Sequence, residues 1–321
     1  MQTQTNYIGI DISKSFFDVS ISEEHHQFSN DQAGFECLLK LLAADSHIVM
    51  EASGPYYLRL ACHLHNYGVK ISVINPLVIR RYSQMRMSRT KTDKKDARLI
   101  AEYGAMTRPE QWIPPQRHII ELQQTEAIMS GLNKQHTLLS NQLESFIAGG
   151  MLYKELKQTI EKELTHLQQL IARLSAHMQQ IVLAHYGQML SDLKSIPGIG
   201  KKTAIMLILI SGGFDRFDDC RKLSSYIGIC PRIFESGSSV KGKARICKMG
   251  MSAIRASLYV CSWSAKRCNK ACRELYERLL AKGKAKKLAL IAVANKLLKQ
   301  AFAIAKTQSK YQENYSKIIC F

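Results

Sequence analysis

Residues 7–11 read Tyr-Ile-Gly-Ile-Asp, a short apolar run that ends on a carboxylate, and this run and the segments after it decide the fold. Turn-prone residues join it to a second apolar run at 17–22, which predicts a hairpin, and a third short strand is predicted near 26–28. The elements predicted next are a helix at 34–44, a strand at 47–50, a helix at 56–66 and a strand at 69–74. We therefore expect an α/β fold with a mixed sheet and helices on its faces.

The order of these elements narrows the fold class. Three meandering strands followed by helix, strand, helix and strand is the order of a ribonuclease-H-like fold. In that order the strand at 47–50 lies beside the strand at 7–11, so the residues that end these two strands would be neighbours.

Residues 118–186 are rich in Gln, Leu and Lys, contain no proline and are interrupted at Gly149-Gly150, which predicts two long helices. In the second helix apolar residues recur in alternating steps of four and three, the repeat of a coiled coil. They are Ile160, Leu164, Leu167, Ile171, Leu174, Met178 and Ile181. This seam could pack on the preceding helix or on another subunit, and we favour assembly between subunits.

From residue 190 onward the pattern is helical with short loops, and helices are predicted near 251–280 and 285–306. The changes in pattern divide the chain into three parts. We expect a ribonuclease-H-like metal domain at 1–112, a coiled-coil helical segment at 113–187 and a mainly α-helical domain at 188–321.

The composition points to a polyanionic partner. Lys and Arg number 45 against 26 Asp and Glu, which leaves a formal net charge of +19. Such an excess is typical of a chain that binds nucleic acid, with an anionic membrane surface as the weaker alternative. No apolar run approaches the roughly 18 residues of a membrane span, so we expect a cytoplasmic protein. The nine cysteines form no C-x-x-C pair, and reduced thiols are expected.

Four acidic residues fall at element ends where they could converge. Asp11 ends the first predicted strand, and Glu51 ends the strand beside it. Asp93 and Asp96 are three apart in a helical segment and share one face. Crowded carboxylates repel one another, and binding of Mg²⁺ is a physical reason to keep them together. Taken singly, each acid is more simply a turn cap, a solvated strand end or a counter-charge, but the four together favour a metal site.

A dense basic run surrounds two of these acids. It comprises Arg80, Arg81, Arg86, Arg89, Lys91, Lys94, Lys95 and Arg98. Such a run is usually a solvated surface, but cations interleaved with candidate metal ligands are suited to holding phosphates. The candidate nucleic-acid contacts in this run are Arg89, Lys91, Lys94 and Lys95.

Residues 196–203 read Ile-Pro-Gly-Ile-Gly-Lys-Lys-Thr and resemble the hairpin of a helix-hairpin-helix module. Gly198 and Gly200 would let backbone amides approach a phosphate. Lys201 and Lys202 would add positive charge at the start of the next helix. An ordinary turn between two helices is the alternative.

A polar loop at 235–243 reads Glu-Ser-Gly-Ser-Ser-Val-Lys-Gly-Lys and is followed by Arg245. The hydroxyl of Ser236 and the cations Lys241, Lys243 and Arg245 would suit attack on a phosphate, but no companion base is visible. On chemistry alone a flexible loop is the better interpretation, and a serine nucleophile is the alternative.

Five motifs occur in order over nearly the whole chain: YIGIDISK, EASGPY, VINP followed by KTDKKDARLIAEY, SIPGIGKKTA, and PRIFESGSSVKGKARICKMG with MSAIRASLY. Together they resemble the transposases of insertion-sequence family 110 and the related Piv DNA invertases. The resemblance implies a RuvC-like N-terminal domain with an acidic D-E-D-D set and a C-terminal transposase domain with a serine in an E-S-G-S-S context. The matching residues are Asp11, Glu51, Asp93 and Asp96 for the acids and Ser236 for the serine.

The resemblance also implies a mechanism of DNA strand transfer. Ser236 would attack a DNA phosphate at a Mg²⁺ site and form a phosphoserine link, so that strands are exchanged without free ends. A homo-oligomer, dimer or tetramer, joined through the coiled coil is implied as well. In the insertion-sequence branch of the family a structured guide RNA would pair with target and donor DNA.

Three other functions remain open at this point. A site-specific DNA invertase would share the motifs without a guide RNA. A junction-resolving nuclease would use the acids to activate water and would have no use for Ser236. A protein that coats DNA or RNA with its basic surface would bind without metal-dependent cleavage.

Overall fold

The protein is described by a computed structural model of residues 6–87, 92–232 and 245–313, together with the backbone of residues 235–236 and 240–241. Its contacts divide it into two compact units, with the division between Pro115 and Gln116. Each unit is built around its own hydrophobic core, as expected for two domains.

The described part of the first unit is built on a five-stranded mixed sheet. Its strands are β1 (Asn6–Ile12), β2 (Phe16–Ile21), β3 (Glu24–Ser29), β4 (Ser46–Glu51) and β5 (Lys70–Ile74). They lie in the order β3-β2-β1-β4-β5, with β1, β2 and β3 antiparallel and β1, β4 and β5 parallel. The predicted α/β class, the mixed sheet and the predicted strands are confirmed.

Helices pack on both faces of this sheet. They are α1 (Gln32–Leu41), α2 (Tyr57–Asn66), α3 (Pro76–Met85) and α4 (Asp93–Thr107). On one face Ile10 packs in a core with Phe35 of α1 and Leu60 of α2. On the other face Val49 packs in a smaller core with Ile100 of α4. Because side chains alternate along a strand, the residues next to Ile10 in β1 face α4.

Helix α3 was not predicted from the sequence. Its start is recognisable, because the Asn75 side chain accepts a hydrogen bond from the Leu77 amide at 2.9 Å and Pro76 occupies the first helical position. Asn75-Pro76 therefore both ends β5 and begins α3.

Helix α4 lies very close to β1, and two glycines permit this approach. A Cβ on Gly9 would overlap the carbonyl oxygen of Ala97 and the amide nitrogen of Ala101. A Cβ on Gly104 would lie 2.6 Å from Val49 and 3.0 Å from the ring of Tyr7. The later part of α4 therefore lies over the start of β1, and the helix runs antiparallel to that strand.

The second unit opens with two long helices, α5 (Arg117–Ala148) and α6 (Lys154–Lys194). They form an antiparallel hairpin, because His177 lies 2.7 Å from Glu121 and Tyr186 lies 2.9 Å from His118. The apolar seam predicted on α6 is buried or half-buried along its length. Within this chain the seam packs on α5. Assembly between subunits through the same helices, which the sequence favours, stays a prediction.

Helices and short strands complete the described part of the second unit. The helices are α7 (Lys201–Ser211), α8 (Cys220–Ile227), α9 (Ser252–Cys268), α10 (Lys270–Ala281) and α11 (Lys286–Thr307). The strands are β6 (Pro231–Arg232), β7 (Glu235–Ser236), β8 (Val240–Lys241) and β9 (Arg245–Ile246). The region near 251–280 holds two helices, because the buried Asn269 ends α9 and caps α10 by accepting a hydrogen bond from the Cys272 amide at 3.2 Å.

Helix α11 corrects the expectation that no segment is long and apolar enough to span a membrane. It is long and apolar enough to span a bilayer by length and composition, and 56% of its apolar window is buried inside the protein. Leu290, Val293 and Leu297 are fully or almost fully buried in the core of the second unit. Burial in this core accounts for the apolar side of α11 without a membrane.

Candidate active site

Strand pairing brings Asp11 and Glu51 to the same end of the sheet. β1 and β4 run parallel with Ile10 beside Met50, so the residues that follow, Asp11 and Glu51, are neighbours where the two strands end. Adjacent strands lie about 4.8 Å apart. Both acidic side chains are half-buried and project from the sheet face that α4 covers.

Helix α4 brings Asp93 and Asp96 to the same place. The Thr92 side chain caps the helix by accepting a hydrogen bond from the Lys95 amide at 3.4 Å, and both acids lie in the first turn. Ala97 lies over Gly9 of β1. Because α4 runs antiparallel to β1, the turn that precedes Ala97 lies towards Asp11, two residues farther along the strand.

The ionisation of Asp11 reflects this convergence. Burial, followed by the negative charges of Asp96, Glu51 and Asp93, raises the pKa of Asp11 from 3.8 to about 6. Both burial and nearby like charges disfavour the ionised form of a carboxylic acid. The four predicted acids therefore share one electrostatic neighbourhood, and Asp11 is the member on which the others act.

Asp18 is an acidic neighbour that the sequence reasoning missed. It lies opposite Asp11 in the β1–β2 pairing, and it is buried. Its Oδ1 accepts a hydrogen bond from Gln27 at 3.2 Å and lies 2.7 Å from Nε2 of His25. Asp18 also contributes, less than the other acids, to the raised pKa of Asp11. An acid between the apolar residues of a predicted strand is the sequence feature that could have revealed it.

The chemistry of this donor set suits a divalent cation, although the side chains are not arranged as a ligand cage. Among the described residues, which include all four acids, no three His, Cys, Asp or Glu side chains are grouped so that they could hold a metal ion. One carboxylate oxygen of Glu51 accepts a hydrogen bond from Ser53 Oγ at 3.0 Å. Mg²⁺ prefers carboxylate oxygens, and a cation would offset the repulsion that raises the pKa of Asp11.

Part of the basic run near α4 is engaged in ion pairs. Arg86 and Arg98 both contact Glu102, at 3.2 and 3.3 Å. Lys94 and Lys95 are exposed in the first turn of α4, between the two acids of that turn. The remaining candidates of this run, Arg89 and Lys91, lie outside the described residues.

Packing inside the second unit explains one of the two glycines in the hairpin at 196–203. Gly198 has a φ of +104°, and a Cβ there would lie 2.6 Å from the Cβ of Ala265 in α9. Close packing on α9 therefore requires this glycine, with or without a ligand. Gly200 immediately precedes α7, and no atom lies within 4 Å of where its Cβ would be.

The two lysines of this hairpin have neighbours inside the unit. Lys201 donates a hydrogen bond to Gln179 Oε1 at 2.6 Å. Lys202 partly offsets the burial that raises the pKa of Glu126. Both lysines are exposed at the start of α7. Their contact with nucleic acid stays a prediction.

Ser236 lies in a small β-arm of the second unit. Its backbone is in β7, which pairs antiparallel with β8 so that Ser236 faces Val240. The strands on either side, β6 and β9, pair with each other, and Arg245 of β9 is exposed. Lys241 is described by its backbone in β8, and Lys243 lies outside the described residues.

Comparisons with known proteins give a consistent family. A family model for DEDD transposases of the IS110 type matches residues 8–151, and a model for the transposase IS116/IS110/IS902 family matches residues 190–277. The pilin gene-inverting protein of Moraxella lacunata is 31% identical over 96% of this chain and 98% of its own length.

Two further relatives carry insertion-sequence names. An uncharacterised protein of the insertion element IS110 of Streptomyces coelicolor is 25% identical over 48% of this chain and 37% of its own length. The transposase of insertion sequence IS1111A of Coxiella burnetii is 24% identical over 83% of this chain and 79% of its own length. The chain therefore belongs to the IS110 family of transposases and is a DNA transposase or recombinase.

Proposed function

We propose that this protein exchanges DNA strands through a covalent intermediate on Ser236, with Asp11, Glu51, Asp93 and Asp96 as ligands of Mg²⁺. The observation that carries the proposal is the convergence of the four carboxylates: Asp11 and Glu51 end adjacent parallel strands, and the helix packed on β1 brings Asp93 and Asp96 towards the same end. The raised pKa of Asp11, caused by burial and by the three other carboxylates, supports this interpretation. Such crowding is unfavourable without a counter-charge. A strand order of β3-β2-β1-β4-β5 is also the order expected of a ribonuclease-H-like domain.

The chemistry of the serine step conserves the phosphodiester bond energy. The Ser236 Oγ–phosphorus bond forms as the bond from phosphorus to one DNA oxygen breaks. Oγ loses its proton to solvent, and the leaving DNA oxygen takes one up and becomes a hydroxyl. Attack by a DNA hydroxyl on the phosphoserine then reverses this exchange and joins a new strand. A bound Mg²⁺ would stabilise charge on the phosphate and lower the pKa of a coordinated hydroxyl, which compensates for the missing histidine base.

Basic residues near both groups would grip the DNA backbone. Lys94 and Lys95 lie in the same helical turn as two of the acids. Arg245 is exposed in β9, the strand that follows β8 of the Ser236 β-arm. The same role is proposed for Arg89, Lys91, Lys201, Lys202, Lys241 and Lys243 and for the backbone of Gly198 and Gly200.

A homo-oligomer, dimer or tetramer, is part of the proposal. Large apolar side chains are exposed around the turn between α5 and α6, with Met151 at 90% and Tyr153 at 74%. Exposed apolar patches of this kind suit contact with a second copy of the chain. A structured guide RNA is proposed from the family resemblance.

Site-specific DNA inversion is the second candidate function. The relatives named pilin gene-inverting proteins are 31% identical over nearly the full chain, whereas the relatives named for insertion sequences are 24–25% identical. An invertase would act on two sites in one DNA molecule and need no guide RNA. Recombination of purified, RNase-treated protein on a plasmid with two inverted sites would favour this branch, and dependence on added RNA would favour the transposase branch.

Covalent trapping tests the serine step. With nicked DNA that cannot be rejoined, Mg²⁺ and any required RNA, the full chain should become linked to one DNA end. Ser236→Ala should bind DNA as tightly and form no adduct. Ser238→Ala and Ser239→Ala, in the same loop, are matched controls and should keep most adduct formation. Cleavage by Ser236→Ala at a near-normal rate would refute the nucleophile and support the junction-resolving nuclease. DNA binding by the unsubstituted protein without any cleavage would support a coating protein.

A further inference from the structure

A second basic region lies at the end of the second unit, apart from every residue assigned above. Residues 284–310 contain seven lysines and no Asp or Glu. Surfaces of soluble domains usually intersperse both signs of charge, because like charges on one element repel. The counter-charge of this run must therefore come from other elements or from an external anion, and Asp218, whose pKa is lowered in part by Lys306, supplies some of it.

Part of this charge faces a cleft between α10 and α11. The cleft has a volume of about 600 Å³ and is lined by Arg278 of α10 and by Asn295, Lys296 and Lys299 of α11. Glu274 is the acid in its lining. Three cations against one carboxylate leave the cleft positive, and a concave surface concentrates such a field.

The three cations form no ion pair with a carboxylate of the described residues. Among the described residues, no carboxylate oxygen lies within 4.0 Å of the charged nitrogens of Arg278, Lys296 or Lys299. Asn295 accepts a hydrogen bond from Ser224 through its amide oxygen at 3.2 Å, so its NH₂ group, a donor, is the part left for a ligand. Every one of these four groups therefore offers hydrogen-bond donors to an anion.

Partly buried hydrogen bonds join α10, α11 and the residues after α11 beside the cleft. Asn269, which begins α10, donates from Nδ2 to Gln300 Oε1 of α11 at 3.0 Å, and the Tyr311 hydroxyl donates to Asn269 Oδ1 at 3.2 Å. A second cleft of about 470 Å³ shares Lys296 with the first and continues past Lys310. The two clefts together form a groove that is large enough for more than one anion.

We propose that this groove of α10 and α11 binds the phosphate backbone of duplex DNA through Arg278, Lys296 and Lys299. Arg and Lys are the usual phosphate ligands, and DNA is the substrate class of this family. None of the described residues that line the 600 Å³ cleft is aromatic. Tyr311 lines the second cleft, but it is half-buried and its hydroxyl is hydrogen-bonded to Asn269. Recognition of single-stranded RNA relies on stacking of bases on aromatic side chains, so the lining fits a duplex backbone better. The proposal rests on action on DNA but not on the chemistry of Ser236.

The test is the salt dependence of DNA binding by the full chain, measured without divalent cations so that no cleavage occurs. The variant Arg278→Gln/Lys296→Gln/Lys299→Gln should lower the slope of log affinity against log salt by about one unit per lost contact, roughly three in all. The loss of affinity should be equal for two duplexes of unrelated sequence, because backbone contacts carry no sequence information.

Two matched variants separate this result from general effects of charge and fold. Lys134→Gln/Lys154→Gln/Lys162→Gln removes the same charge from exposed positions of α5 and α6 and should leave the slope nearly unchanged. Lys296→Arg/Lys299→Arg keeps the charge in the groove and should also keep the slope.

Either of two outcomes would overturn the proposal. In one, the groove variant retains the slope of the α5–α6 control. In the other, it binds duplex DNA normally and loses affinity for a structured RNA. Because the measurement needs no cleavage, it can succeed where the Ser236 adduct fails, and the reverse also holds.

Discussion

The acid cluster, which consists of Asp11, Glu51, Asp93 and Asp96, and the β-arm that carries Ser236 differ in how much regular secondary structure supports them. Asp11 and Glu51 end neighbouring strands of a five-stranded sheet, and a helix packed tightly on β1 adds Asp93 and Asp96. Ser236 lies in a strand of two residues, paired with another strand of two residues. In the first case regular secondary structure fixes the positions of the functional groups, whereas in the second the local backbone supplies little of that support. Substitutions should therefore act on the acid cluster through packing and charge as well as through chemistry.

Removal of one acid of the cluster is the substitution with the largest expected effect on activity. Asp11→Asn should reduce Mg²⁺-dependent strand cleavage by more than the roughly 10–100-fold typical of losing an outer-shell partner of a metal. The fold should be retained, because neutralising Asp11 relieves repulsion from Glu51 and Asp96. Cleavage and thermal unfolding should be measured together, with the exposed Asp45→Asn as control. Normal cleavage by Asp11→Asn would show that the cluster is not a metal site.

A methyl group on Gly9 should act on the cluster through packing alone. In Gly9→Ala the new Cβ would overlap the backbone of α4 at Ala97 and Ala101. Overpacking of this kind costs about 1–3 kcal/mol in the free energy of unfolding, and a shift of α4 would also lower Mg²⁺ affinity. Denaturant unfolding and Mg²⁺ titration measure the two effects.

Gly131→Ala in α5 is the matched control for this change. No atom lies within 4 Å of where its Cβ would be, and alanine is the better helix former. The same methyl group should therefore stabilise the protein by roughly 0.5–1 kcal/mol. If both variants were equally stable, the close contact between α4 and β1 would not govern the geometry of the cluster.

The pH dependence of stability is the smallest of these effects. The Asp11 carboxyl ionises near 3.8 in an unfolded chain and at about 6 in the folded protein, so the folded state holds the proton more tightly. This tighter proton binding stabilises the folded state. The stabilisation is fully present below pH about 3.8 and is lost as pH rises through about 6. The free energy of unfolding of the metal-free protein, relative to Asp11→Asn, should therefore fall across this range. Mg²⁺ binding should strengthen over the same range, and a flat difference would contradict the clustering of the acids.

The sequence predicted the position of a side chain best where that residue ends a strand or lies in a helix with a clear hydrophobic pattern. The strand that ends at Asp11 and the strand that ends at Glu51 could be predicted from short apolar runs, and their neighbourhood followed from the element order. The sequence did not reveal Asp18, because its position opposite Asp11 depends on the register of the hairpin. It also did not reveal the groove of α10 and α11, because the break at Asn269 that creates two helices falls inside a continuous helical pattern.

For the β-arm of Ser236 the sequence pattern predicts neither the local structure nor the role of the serine. Gly, Ser and Lys in a loop are compatible with many conformations, so no periodicity marks Ser236 as special. Its proposed role comes from the family resemblance and not from local physics. The heptad seam on α6 gives an intermediate case, since the repeat predicted the buried face correctly but could not say which helix would cover it.

The division between Pro115 and Gln116 has a consequence for the order of events during synthesis. All four acids and every described strand of their sheet precede it, so the ribosome has released everything the cluster needs before most of the chain exists. At roughly 5–20 residues per second, synthesis from there to Ser236 takes on the order of 6–24 s, which is long compared with the folding time of most small domains. The nascent chain can therefore hold the folded acid cluster for several seconds before Ser236, the proposed nucleophile, has been made.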